Sequence, residues 1–177
     1  MYDYQPPRKN AKAKILCLLL FAASAVAFVG SVFVPAYPII LQSIGIFLLV
    51  PCIQILGRYV VLRYLYRVRP YEDGSADLEV YTYRGGDRMQ LVCRVALSEI
   101  TATAPLTSEN KKPPHGLRRY NYCPDIGPAD ALVLSVTNGD GDCQILLTPD
   151  ETMRAMLENA CPPQTAVKDR PQEGEEQ

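Results

Sequence analysis

The period of hydrophobic and polar positions changes along the chain. Ile15 to Val34 is an unbroken uncharged run, and after Pro35-Ala36-Tyr37-Pro38 a second runs from Ile39 to Gly57, where only Gln42, Ser43 and Gln54 are polar. At about 1.5 Å rise per residue each run predicts a helix able to cross a hydrocarbon layer of roughly 30 Å. The short link predicts antiparallel neighbours, with Pro35 ending the first helix and Pro38 opening the second. Pro51 is expected to bend the second helix, and Gln42 or Gln54 to bond across the pair.

Past Gly57 the period becomes two, the mark of strands with one buried face. Tyr64, Tyr66 and Val68 alternate with Leu65, Arg67 and Arg69, and Leu78, Val80 and Thr82 alternate with Glu79, Tyr81 and Tyr83. Gly85-Gly86-Asp87 predicts a turn into 88–96, where Met89, Leu91, Cys93, Val95 and Leu97 form the apolar set. Further strands are expected at 99–104, 118–123, 131–137 and 142–147, the last two joined at Asn138-Gly139-Asp140-Gly141. Pro105 to Leu117 is polar and proline-rich and reads as an exposed loop. Thr148 as N-cap, Pro149 in the first turn and Glu151 then open a helix whose apolar stripe is Met153, Met156, Leu157 and Ala160. Cys161-Pro162-Pro163 should stop it, and the tail 161–177, without large apolar residues beyond Val167, should be disordered.

Charge gives the two spans an orientation. Residues 1–14 carry +3, residues 58–71 carry +4, residues 72–160 carry −6 and the tail −2, whereas the link between the spans has no charge. Lys and Arg beside span ends favour the cytoplasm. Arg8, Lys9, Lys12 and Lys14 before the first span, and Arg58, Arg63, Arg67 and Arg69 after the second, therefore predict a two-span hairpin with both termini cytoplasmic. A cleavable signal peptide ending near Ala25-Val26-Ala27 is the rival reading of the first span. The domain plan is a basic N-terminus (1–14), spans at 15–34 and 39–57, a juxtamembrane segment with the first strand (58–71), a cytoplasmic domain (72–160) and the tail.

About seven short strands followed by one helix is the element order of a pleckstrin-homology-like barrel, a bent mainly-β sheet capped by a C-terminal helix. With hydrophobic spans leading into a strand at Tyr64 to Tyr71, and with the strand-to-strand step Arg94-Val95-Ala96-Leu97-Ser98-Glu99-Ile100, the chain resembles bacterial inner-membrane proteins carrying such domains. The resemblance covers residues 64–160 and implies a fold, but no catalytic residue or cofactor.

Candidate chemistry is sparse. The spans lack the Asp, Glu, Lys, Arg or His that carriers require. His115 is the sole histidine, and no cysteine pair has the Cys-x-x-Cys spacing of a zinc site. In a reducing compartment the cysteines are expected to be free thiols. The Asn138 turn departs from a calcium loop at Cys143 and Pro149, and Gly85-Gly86 lacks the rest of a phosphate loop. An acidic domain also lacks the basic face of a nucleic-acid binder. Lys111, Lys112, Arg118 and Arg119, together with Arg58 and Arg63 near the membrane, are the candidate lipid-headgroup contacts. Ala23, Ala27 and Ser31, four apart, are candidates for close helix packing within the hairpin or in a homodimer. The expected function is a membrane-anchored, non-enzymatic interaction module with a protein partner. The alternatives are an anionic-lipid sensor and an enzyme subunit with Cys93, Cys123 or Cys143 as nucleophile.

Overall fold

The computed structural model describes residues 1–7, 10–34, 36–85, 88–128, 130–139 and 141–160. Arg8, Lys9, Pro35, Gly86-Asp87, Asp140, the helix stop at Cys161-Pro162-Pro163 and the tail lie outside the described residues.

The uncharged runs form α1 (Ala11–Phe33) and α2 (Pro38–Ile55), both long and apolar enough to cross a membrane. α1 starts before Ile15 because Lys12 and Lys14, both good helix formers, extend it by a turn. Pro51 lies inside α2, and beyond it the winding widens into a π-helical turn, Leu56–Val61, closed by the Leu62 N–H donating to the Gly57 carbonyl at 3.1 Å.

Small residues bring the helices together. Cys17, Ser24 and Ser31 recur every seven residues on the buried face of α1, with Ala13 before them and Ala27 among them, and α2 answers with Gly45 and Cys52. A Cβ on Gly45 would stand 2.8 Å from the Phe28 ring, so only glycine fits without displacement. Ser24 Oγ donates to the Gly45 carbonyl at 2.9 Å. The Cys17 and Cys52 thiols each donate to the other's carbonyl, at 3.7 and 3.5 Å. Of the expected packing residues Ala27 and Ser31 lie on this seam, but Ala23 is exposed. Four residues advance a helix by more than a full turn, so a strict four-residue repeat drifts off the seam and Ser24 occupies the place expected for Ala23. Gln42 and Gln54 are exposed, and the cross-helix bonds come from Ser24 and the two thiols instead.

Among the described residues eight strands form two four-stranded sheets. The first has the order β1 (Tyr2–Tyr4), β2 (Arg63–Pro70), β3 (Ala76–Tyr83), β4 (Gln90–Ala96), antiparallel throughout. The second contains β5 (Ile100–Pro105), β6 (Arg118–Asn121), β7 (Leu132–Asn138) and β8 (Gly141–Leu147) in the order β5-β7-β8-β6, with β6 parallel to β8. A 3₁₀ turn at Leu97–Glu99 carries the chain from the first sheet to the second. Tyr66, Leu78, Val80, Leu134, Ile145 and Leu147 pack between the sheets, where α3 (Glu151–Ala160) adds Met153 and Leu157.

β1 was not anticipated, because three residues are too few for a period to show. Its Tyr2 and Tyr4 pack against the core cluster, and Tyr4 lies 6.2 Å from the Tyr66 ring. The first sheet thus includes residues on both sides of the helical pair, and the folded unit extends beyond 72–160. The helix cap also shifts: Asp150, not Thr148, caps α3, its Oδ1 accepting from the Met153 N–H at 2.9 Å. Met156, expected in the stripe, is exposed.

A row of alternating charge crosses the outer face of the first sheet. Asp3 is opposite Arg67, Arg67 opposite Glu79, and Glu79 opposite Arg94. Opposite charges on facing strand positions stabilise that register, and a one-residue slip would bring apolar side chains onto the row.

Candidate functional site

The β3–β4 hairpin departs from the alternation that its sequence suggests. Val80 pairs with Cys93 but Tyr81 pairs with Leu91, leaving Val92 as the extra residue of a β-bulge. Inserting one residue reverses the facing of everything before it. Val95 is therefore buried as expected, whereas Met89 and Leu91, expected inside, are 52% and 43% exposed. Val92 is exposed beside them.

This apolar surface lies at an open edge. Among the described residues β4 pairs only with β3, and β6 only with β8. Tyr122, one residue past β6, spans the opening: its hydroxyl donates to the Val92 carbonyl at 3.4 Å, while its own carbonyl accepts from Tyr66 Oη at 2.8 Å. Tyr120 of β6 adds another exposed ring. Arg84 and Arg88, both exposed, flank the β3–β4 turn and give that end of the edge positive charge.

The expected headgroup ligands do not converge. Arg119 Nε and Nη2 donate to Gln144 Oε1 at 2.9 and 2.5 Å and Nη1 to the Lys111 carbonyl at 2.8 Å, fastening the long loop to β8. Burial pulls its guanidinium below the ordinary value. Arg58 Nη2 donates to the Asn121 carbonyl at 2.7 Å, tying the π-helical turn to the end of β6. Arg63 lies over the Tyr83 ring, 5.8 Å from its centroid. Lys111, Lys112 and Arg118 are exposed. Since Arg58 marks Asn121 as the hairpin end of β6, Arg118 stands about 10 Å farther out along the strand.

His115 is exposed in the loop. Cys123 is buried, and desolvation pushes its thiol up to about 11; burial also raises Cys93 and Cys143. A nucleophilic cysteine needs the opposite shift. Among the described residues no group of three or more His, Cys, Asp or Glu side chains could hold a metal ion.

Sequence reasoning missed the edge site because its alternation assumed an unbroken strand. The one signal available was the run Leu91-Val92-Cys93, three apolar residues where a half-buried strand should have two. Comparisons with protein-family models, characterised proteins and solved structures return no match.

Proposed function

We propose that the chain is a membrane-anchored, non-enzymatic interaction module whose pleckstrin-homology-like domain receives an extended segment of a protein partner at the open edge of β4. The observation carrying this reading is the bulge at Val92, which exposes Met89 and Leu91 along an edge strand. An added strand gains main-chain hydrogen bonds there, and alternate side chains supply specificity. Arg84 and Arg88 favour a segment with apolar residues followed by an acidic one.

Anchoring rests on the exposure of α1 and α2. Ile15, Leu18, Leu19, Phe21, Ile39, Ile46 and Phe47 all face outward, a surface that water disfavours and lipid accepts. Pairing of β1 with β2 requires both flanks of the helical pair to lie on the same side of the bilayer, and the positive charge of those flanks favours the cytoplasm. Cleavage of the first span would discard β1. The small-residue face of α1 is occupied by α2, which supports packing within the chain over a homodimer through that face.

The test places a photo-crosslinking residue at position 91 of the full-length chain in native membranes, and a second at 112. A protein adduct formed at 91, absent at 112 and abolished by Val92→Pro is the expected result. Adducts to lipid alone, or equal protein adducts at both positions, would overturn the proposal.

A further inference from the structure

An apolar edge strand left open invites unwanted pairing with other chains, and folded proteins blunt such edges with covering groups. At the β4 edge the covering group is a single side chain. Tyr122 Oη stands 3.4 Å from the Val92 carbonyl, to which it donates, and beside the Cys93 thiol. Val92 has no partner on β3, because it is the extra residue of the bulge. Neighbouring strands run about 4.8 Å apart, so the hydroxyl lies within the spacing that an added strand keeps from β4.

The fold fixes the root of this side chain and holds its tip weakly. The Tyr122 N–H donates to the Leu146 carbonyl at 3.0 Å, and the Tyr122 carbonyl accepts from Tyr66 Oη at 2.8 Å. On one side Arg58 holds the Asn121 carbonyl, and on the other the Cys123 N–H donates to Asn121 Oδ1 at 2.9 Å. Backbone motion is thus not the way to clear the edge. The ring meets Tyr64 edge to face, 6.2 Å between centroids, and its hydroxyl bond to Val92 is long. A neutral hydrogen bond of that length is at the weak end of the range, and a main-chain donor on an incoming strand can replace it. Rotation of the Tyr122 side chain between staggered wells therefore opens the edge and leaves both sheets paired.

We infer that the Tyr122 side chain is a removable cover on the β4 edge, closed on Val92 when the edge is empty and swung away when an extended segment docks. The identity of the occupant rests on the docking reading given above; the cover rests on the Tyr122 contacts.

Tyr122→Phe keeps the ring and removes the bond. In the purified full-length chain, maleimide labelling of Cys93 should rise about threefold, the weight of one weak hydrogen bond, with Cys123 and Cys143 unchanged as controls for the fold. Loss of the hydroxyl by itself would slow this thiol, because the Tyr122 bond holds its pKa down against burial, so a faster rate reports opening. In native membranes the protein adduct from a photo-crosslinking residue at 91 should rise by a similar factor. Unchanged or slower Cys93 labelling overturns the cover, and faster labelling with an unchanged adduct overturns its opposition to docking. If Cys123 also speeds up, the fold has loosened, and fluorine relaxation dispersion at a 3-fluorotyrosine placed at 122 decides instead: exchange supports the cover and its absence overturns it. No adduct at 91 in either background overturns the docking reading alone, because the Cys93 rate is read without a partner.

Discussion

Arg67 grips Asp3 with two nitrogens, Nε to Oδ1 and Nη2 to Oδ2, each at 2.7 Å, so the third residue of the chain is held by one beyond both long helices. The Arg67 bonds hold the Asp3 carboxyl below the usual carboxylate range. A depressed folded pKa contributes stability that is complete above the unfolded carboxylate value and is lost as pH falls through the folded one. Asp3→Asn should therefore weaken β1 docking at neutral pH and abolish its loss in acid. The pair is partly exposed, so the cost is about 0.2–1 kcal/mol. Amide hydrogen exchange at Tyr4 checks it: faster exchange in the variant at pH 7 and convergence with wild type in acid are expected.

The Gly45 contact with Phe28 predicts a position-specific effect in the hairpin. Gly45→Val should strain the seam by about 1–3 kcal/mol, whereas Gly30→Val, with nothing within 4 Å of its added Cβ, should be close to neutral. Ala27→Leu should separate the helices and Ala23→Leu should not. Oxidative crosslinking between Cys17 and Cys52 in each variant reports helix proximity, and a loss confined to Gly45→Val and Ala27→Leu is expected.

Thiol reactivity should follow burial. With its thiol at about 11, Cys123 is almost entirely protonated at pH 7, and its rate with a maleimide should rise about tenfold per pH unit. Half-exposed Cys143 should label before Cys93, and Cys123 last. Mass spectrometry of the folded chain over time gives the order; early labelling of Cys123 would revive the nucleophile reading.

Arg119 is the fastening of the long loop. Arg119→Ala removes its bonds to Gln144 and to the Lys111 carbonyl and should cost about 1–3 kcal/mol, with faster protease cleavage between Thr107 and Leu117. Lys112→Ala should leave cleavage unchanged. Limited proteolysis of the intact protein distinguishes the two.

Element type was legible where the period was long. The helical pair, seven of the strands and α3 follow from runs in which each residue repeats the same choice of face, with ends shifted by at most four residues. What escaped depends on single residues or on distant partners. Tyr2–Tyr4 becomes a strand only because Tyr66 and Val68 present an edge to it. Val92 reverses the facing of Met89 and Leu91 through one extra residue. Ser24 replaces Ala23 on the seam by an angular drift that the four-residue motif conceals. Arg58 and Arg119 were recognised as cations, but their carbonyl partners lie far away in sequence.

Because β1 precedes the helical pair and its partner strand follows it, synthesis imposes an order on assembly. At about 5–20 residues per second, the ribosome takes several seconds between making Tyr4 and making Tyr66. During that interval the first strand has nothing to pair with, and if the helical pair crosses a membrane as proposed above, it can close the sheet only once the chain has returned to the side on which it began. A chain whose two flanks ended on opposite sides would retain a bare β2 edge, an accessible strand that quality-control proteases and chaperones can recognise. On that anchoring, the outermost strand acts as a seal that closes only on molecules with both flanks on one side.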